Sequence, residues 1–301
     1  MYNETITRLL EFMEKSGKTQ IQISRETGLS GAVISQFISG TYEGDNDKIA
    51  DSLEKYLVIA TERLESADNT VFYPDLRNTK TSLFAVKYAH KNCDVVLLSG
   101  DAGAGKTTAL RYYTQNNTGV IFITASTCIS SPTAILKEIA SAIGKKATGN
   151  KSQIEKTLIS ALSNSNRLII IDEADQLTFN AIQAVRNLND KANVGILLSG
   201  NNRIYNQMVM GARCTEFDQV RTRIFMRPKF SNTYTVYEMQ NIFPNVEPKG
   251  IGVLLKLAER ESLRMAVKLF NAVIELGVNA GNIIKASELK LVQEQFLGEI
   301  L

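Results

Sequence analysis

The run Gly100-Asp101-Ala102-Gly103-Ala104-Gly105-Lys106-Thr107 constrains this chain more than any other stretch. It fills every position of the pattern G-x-x-x-x-G-K-[ST]. It lies between an apolar run, Asp94 to Ser99, and an amphipathic segment over 106–115. A glycine-rich loop between a buried strand and a new helix is the setting in which this motif cradles phosphate. The glycines let backbone amides turn inward onto anionic oxygens. The helix adds the partial positive charge of its N-terminus. The loop therefore predicts a nucleoside triphosphate site, with ATP the expected ligand and Mg²⁺ its companion. Lys106 is placed to reach the β and γ phosphates, the Thr107 hydroxyl to ligate the cation, and Thr108 follows in the first helical turn.

The rest of the chain sets this loop in an α/β frame. Short apolar runs at 94–99, 119–125, 167–171 and 195–199 read as buried strands. Amphipathic segments at 106–115, 133–143, 152–163 and 178–188 separate them, a pattern that implies a parallel sheet covered on both faces. Past about residue 234 the strands vanish, and segments at 235–241, 249–259, 262–276 and 286–298 predict a small helical subdomain. Ahead of the α/β part, residues 3–15, 20–26, 30–39 and 45–60 read as helices. Ser30 caps the third of these and Gly40 ends it. The expected organisation is an all-α domain over 1–60, a polar linker over 61–79, an ATPase core over 80–233 and a helical lid over 234–301.

Three further features belong with the phosphate loop. Ile169-Ile170-Ile171-Asp172-Glu173 ends an apolar strand in two acids, which is costly unless they serve an ion or a substrate. Asp172 is the candidate for the Mg²⁺ shell, and Glu173 for the base that positions and deprotonates the attacking water. The fourth strand ends in Ser199-Gly200-Asn201, and Asn201 is placed to orient the same water. Arg221 and Arg223 flank a strand-like run, and arginine suits the stabilisation of charge on a transferring phosphoryl group, often from a neighbouring subunit. A surface ion pair or a nucleic-acid contact is the plainer reading of either.

Charge is unevenly spread. Residues 1–60 hold six Lys/Arg and nine Asp/Glu, while the whole chain is net +3. Residues 120–167 and 201–230 each hold six basic and two acidic residues. Lys145, Lys146, Asn150 and Lys151 form a glycine-containing basic loop in the first span, and Arg203 lies near Asn201 in the second. Contacts from such loops go to phosphates and are largely indifferent to sequence, unless the loop is merely solvated. Cys93, Cys128 and Cys214 fit no zinc spacing. The N-terminus lacks a secretory pattern, and no run of ~18 apolar residues reads as a membrane span. A cytoplasmic protein is the expectation. His90, the one histidine, sits at a polar-flanked helix end and is a weak candidate for chemistry.

The stretches SGDAGAGKT, LIIIDEADQL, LLSGNNRIY, TEFDQVRTRI and SLRMAV together resemble those of AAA+ ATPases and, across nearly the full chain, the family of the phage Mu B transposition protein. The single ATPase motifs are common to many families. Their combination with the N-terminal helices and the GNNRIY segment is far more specific. The resemblance implies that Asn201 is a first sensor, Arg223 an arginine finger acting in trans, and Arg264 a second sensor in the lid. Glu261 departs from the glycine that often precedes that lid arginine. The N-terminal helices resemble a helix-turn-helix of the phage repressor type, through Gln20, Gly28, Ser30, Ile34, Ser35, Phe37 and Gly40. Ser30 to Ile38 would be its recognition helix, with Ser30, Ser35 and Gln36 as donors, although that helix has no Lys or Arg.

What the resemblance implies is an ATPase that binds duplex DNA without sequence preference. It would assemble on that DNA as a helical filament or ring, recruit and stimulate a DDE-type transposase, and work in the cytoplasm of a bacterium or phage-infected host. Two other classes stay open: a loader or chaperone acting on protein partners, and an ATP-switched helix-turn-helix transcription regulator.

Overall fold

The computed structural model describes residues 2–68, 72–209, 217–277 and 283–298, in two compact units, Met1–Phe72 and Tyr73–Leu301. The first unit is helical: α1 (Tyr2–Ser16), α2 (Gln20–Thr27), α3 (Gly31–Ser39) and α4 (Asn46–Asp68). Thr19 and Gln22 form a reciprocal capping box at the start of α2. Gly28 ends α2 in the left-handed region, φ 75°, and Ser30 accepts from Val33 N–H to cap α3. Leu9, Ile23, Ile34, Phe37, Leu53 and Leu57 close into one core. The stretch expected to be a linker from residue 61 is helical as far as Asp68, as the continuation of α4.

The second unit is built on a parallel sheet. After α5 (Arg77–Asn92) come β1 (Val95–Gly100), α6 (Lys106–Gln115), β2 (Val120–Thr124), α7 (Pro132–Ala142), α8 (Lys151–Leu162), β3 (Leu168–Asp172), α9 (Phe179–Ala192), β4 (Gly195–Gly200) and α10 (Asn202–Val209). A single turn, α11 (Asp218–Arg221), precedes β5 (Ile224–Met226) and β6 (Lys229–Phe230). The strand order is β2-β3-β4-β1-β5, with β6 also paired to β1. Every residue of β1, β3 and β4 is buried. That burial explains why their sequences are continuous apolar runs rather than alternating ones. One face packs on α7, α8 and α9 through Leu97, Ile169, Ile171, Ile196 and Leu198. The other packs on α5 and α6 through Val96, Leu98, Ile170 and Leu197.

The edge of this sheet differs from expectation. The strand-like run beside Arg223 is two short strands, both parallel to β1. They are interrupted at Pro228, which has no N–H to donate and still accepts from Ser99 N–H at 3.3 Å. Beyond them lie α12 (Val236–Ile242), α13 (Pro248–Arg260), α14 (Leu263–Glu275) and α15 (Ala286–Leu297), with Met239, Phe243, Leu254, Leu269, Val273 and Leu289 as a separate core. Among the described residues, no helix is long and apolar enough to cross a membrane.

His90 has a structural explanation. Its Nε2 lies 3.1 Å from the Asn166 carbonyl and its Nδ1 3.0 Å from the Tyr113 hydroxyl. A carbonyl can only accept, so Nε2 carries the proton and Nδ1 accepts from the tyrosine. The ring ties α5 to α6 and to the turn before β3, away from the phosphate loop.

Leu110, fully buried on α6, measures how firmly that helix is held on the sheet. Leu110→Ala is expected to cost about 2–5 kcal/mol, read as a lower urea midpoint at unchanged slope.

Candidate nucleotide site

The site lies along the carboxyl edge of the sheet. Gly100 ends β1 at φ 152°, where a Cβ would stand 2.1 Å from the Phe230 carbonyl oxygen on β6. Only glycine lets these two strands pair so closely at this point. Gly103 and Gly105 are left-handed, with φ 77° and 87°, and Gly105 opens α6. Lys106 is 9% exposed. Its ammonium donates to the carbonyls of Gly100 at 3.0 Å and Asp101 at 2.9 Å. Burial lowers its pKa, and the carboxylates of Asp172, Glu173, Asp101 and Asp175 act against that shift. Thr108 and Ala102 are exposed, and Ala104 is buried.

Asp172 ends β3 and is 3% exposed. Thr107 Oγ1 donates to its Oδ2 at 2.7 Å and Ser199 Oγ to its Oδ1 at 2.9 Å. The hydroxyl of Thr107 and the carboxylate of Asp172 therefore share one point of the site. Among the described residues, no group of three or more His, Cys, Asp or Glu is placed to hold a metal ion. A lone hydroxyl–carboxylate pair instead suits Mg²⁺, which keeps waters and substrate phosphates in its shell rather than an all-protein cage.

Glu173 follows with a left-handed backbone, φ 53°. It turns the chain from β3 into a short 3₁₀ turn over Ala174–Gln176. Its side chain is exposed, yet its pKa is raised, first by partial burial and then by the Asp172 and Asp175 carboxylates, while Lys106 and Arg264 pull it back down. The Arg264 effect places that guanidinium within electrostatic range of Glu173.

Asn201 follows β4, which runs between β1 and β3. Its N–H donates to Asp175 Oδ1 at 3.1 Å and its Nδ2 to Asp175 Oδ2 at 2.8 Å, and its Oδ1 accepts from Arg203 N–H at 2.7 Å. Asp175 is 5% exposed, and a Cβ on Gly200 would come within 2.7 Å of its Oδ1. This carboxylate, which fixes how Asn201 is presented, was missed in the sequence. The available signal was a third acid in Asp172-Glu173-Ala174-Asp175.

The remaining candidates divide by place. Arg264 is exposed in the first turn of α14. The departure at Glu261 is a short break in the helix: α13 ends at Arg260 and Ser262 caps α14. Ser262 lies against the loop, because a Cβ on Gly103 would meet the Ser262 Cβ at 2.4 Å. Arg223, 60% exposed, faces Asp190 at 3.6 Å, and Arg221 pairs with Asp218 at 2.7 Å. Arg223 precedes Ile224, which is in register with Val95 at the start of β1. Five strand steps of about 3.3 Å each separate that level from Gly100, roughly 17 Å, so Arg223 is out of reach of its own phosphate loop.

Lys145, Lys146 and Lys151 are exposed. Asn150 caps α8 by accepting from Gln153 N–H at 3.0 Å, and Ser30 is similarly engaged as the cap of α3. Arg203, Ser35 and Gln36 are exposed. Cys93 and Cys128 are free thiols. Cys214, and the Thr215 and Glu216 that begin the TEFDQVRTRI stretch, lie outside the described residues.

A family model described as AAA domain matches residues 89–208. The chain is 30% identical over 226 residues to the ATP-dependent target DNA activator B of Escherichia phage Mu, covering 75% of this chain and 72% of that protein. It is 31% identical over 215 residues to the Mu-like prophage FluMu DNA transposition protein B of Haemophilus influenzae, covering 68% and 72%. Among solved structures, a RuvB mutant from Thermotoga maritima aligns at 17% identity with a TM-score of 0.48, over 73% of this chain and 70% of that one.

The electrostatics of Glu173 can be checked without any activity. Its carboxyl is expected to titrate above the ordinary glutamate value of 4.5. Arg264→Ala should move it higher still, because removing a nearby cation disfavours the charged form. Side-chain carboxyl NMR across a pH series reads both shifts, and a Glu173 that titrates at or below the ordinary value contradicts this geometry.

Proposed function

The chain belongs to the family of the phage Mu target DNA activator B and is an AAA ATPase, and on that footing we propose that it binds duplex DNA in an ATP-dependent, sequence-indifferent manner as a helical filament or ring and recruits a DDE-type transposase. Gly100 to Thr107, with Thr108, bind ATP, and Lys106 holds its β and γ phosphates. Thr107 and Asp172 would hold Mg²⁺, which when bound would neutralise charge on the phosphates. Glu173 takes the proton of the attacking water, and Asn201, oriented by Asp175, fixes where that water sits. Arg264 reaches the nucleotide from the lid.

The observation that carries the assembly is the place of Arg223. It is exposed, basic and about 17 Å up the sheet from its own loop. It acts instead on the site of a neighbouring subunit, where it stabilises the charge of the transferring phosphoryl group. Lys145, Lys146, Lys151 and Arg203 supply phosphate contacts to DNA, with Asn150 beside them as a cap. Such contacts predict steep salt dependence. In the N-terminal unit, Ser35 and Gln36 are available as weak donors from α3, and Ser30 only in so far as its capping bond allows. The protein works in the cytoplasm of a bacterium or phage-infected host.

The test is anisotropy with several unrelated duplexes, with ATP, ADP or no nucleotide, over a salt series. Binding is expected with ATP, with every sequence, and to weaken steeply as salt rises. Lys106→Ala should abolish it. Glu173→Gln should prolong it while slowing hydrolysis by at least ~10²-fold. Arg223→Ala should hydrolyse poorly alone and recover when mixed with Glu173→Gln, whose subunits assemble and carry an intact Arg223. Lack of recovery removes the trans role. Binding that ignores ATP and selects one sequence makes the protein an ATP-switched regulator. No DNA binding in any state leaves a loader or chaperone.

A further inference from the structure

Where the chain leaves the sheet for the lid, Asn232 is 8% exposed and every polar group of its side chain is engaged. Its backbone N–H donates to Asp101 Oδ2 at 3.3 Å. Its Nδ2 donates to the carbonyls of Ala102 at 3.0 Å and Glu261 at 3.3 Å. Its Oδ1 accepts from the Tyr234 hydroxyl at 3.5 Å. Burial, reinforced by the nearby Glu238 and Asp101 carboxylates, pushes that tyrosine up to about 12, so it stays a protonated donor at neutral pH.

The partners of Asn232 belong to two separate segments, the phosphate loop and the α13–α14 break. Ala102 and Asp101 occupy positions of the phosphate loop that the motif leaves free. Glu261 is the break between α13 and α14, one residue before the cap that touches Gly103 and three before Arg264. Asp101 reaches a third part as well: its Oδ1 accepts from Asn202 Nδ2 at 3.0 Å, next to Asn201. One carboxylate and one amide thus join the phosphate loop, the segment carrying Asn201, and the start of the lid helix carrying Arg264.

We propose that Asn232, clamped by Asp101, is a positioning residue that sets Arg264 against the phosphate loop, so that the lid and the loop change conformation together. The proposal rests on the reading of Arg264 as a residue that acts on bound nucleotide. Loss of the Asn232 amide leaves two carbonyls without their donor and releases the α13–α14 break from the loop. Arg264 then loses its fixed approach although its side chain is intact.

The experiment is a double-mutant cycle on steady-state ATP hydrolysis by the whole chain, with Asn232→Ala, Arg264→Ala and both together. ADP affinity is measured by calorimetry, and the unfolding midpoint without nucleotide serves as a control for folding. Asn232→Ala is expected to lower kcat about tenfold while remaining folded at the assay temperature, with a lowered midpoint because two buried carbonyls lose their donor. The double variant is expected to be no slower than Arg264→Ala alone, within about twofold. If both single variants are slow and their effects multiply, Asn232 acts independently of Arg264 and the proposal falls. If Arg264→Ala alone hydrolyses ATP normally, the role given to Arg264 fails and takes the proposal with it. Should Asn232→Ala not fold, the same cycle is run between Asp101→Asn and Arg264→Ala.

A charge exchange tests the Asp101 clamp. Asp101→Asn sets amide against amide, and Asn202→Asp sets carboxylate against carboxylate. The double exchange restores one donor and one acceptor while leaving an oxygen for the Asn232 N–H. Each single variant is expected to be slow and the exchange to recover to within about threefold of the unaltered protein, the non-additive coupling expected of contacting residues. Failure of the exchange to recover overturns the clamp.

Discussion

A carboxylate buried as deeply as Asp172 costs several kcal/mol unless its oxygens are hydrogen-bonded, and the way that cost is met organises the carboxyl edge of the sheet. One oxygen accepts from Thr107 at the start of α6 and the other from Ser199 near the end of β4. Segments at residues 107, 172 and 199 are thereby fixed to one another at the scale of single atoms. The strand order makes this possible, because β4 lies between β1 and β3. The three strands are apolar up to their last residues, and polarity appears only where they end. The core holds the platform rigid, and the hydroxyl–carboxylate contacts set the register of what stands on it.

Around that centre the carboxylates have unequal tasks. Asp172 and Asp175 are both buried, but Asp175 gives its two oxygens to the backbone and side chain of Asn201 and so fixes an amide rather than a cation. Glu173, between them in sequence, is turned outward by its left-handed backbone and feels both neighbours as a push toward the protonated form. Lys106 sits in the opposite balance: burial lowers its affinity for a proton and four acids sustain it. A triphosphate entering this loop adds negative charge that favours the ammonium and disfavours the Glu173 carboxylate. Lys106 and Arg264 act in the opposite direction on that carboxyl.

What was legible in the sequence was local. The phosphate loop, the acids ending β3 and the amide after β4 each follow an apolar run within a few residues, so their places are set by strand-to-helix geometry alone. The edge strands were only half-visible because β5 and β6 hold three and two residues, too few for any period, with Pro228 between them. Asp101 and Asn232 carry no pattern at all: their bond spans 131 residues and forms because β6 pairs with β1 at Phe230 and Gly100. Ser30 and Asn150 are a different case. Each was read as a donor to DNA, yet each immediately precedes a helix, where Ser and Asn cap exposed N–H groups. The capping role was available from position, and was noted for Ser30.

The separation of Arg223 from its own loop has a consequence for assembly that follows from symmetry. The loop stands at the carboxyl edge of the sheet and Arg223 at the amino edge, held by Asp190 near the end of α9. A contact that brings Arg223 to a neighbour's nucleotide joins one edge of the first subunit to the opposite edge of the second. Such a contact closes as a two-fold dimer only where the two subunits lie antiparallel and each Arg223 meets the other's loop; between subunits in one orientation it is heterologous. The heterologous contact continues from subunit to subunit, as a ring if the rotation between them closes and as a helix if it does not. Under the trans role proposed for Arg223, an open helix would leave the site at one end without a neighbour's arginine and hydrolysis there would be slowest, whereas a ring would leave no such site.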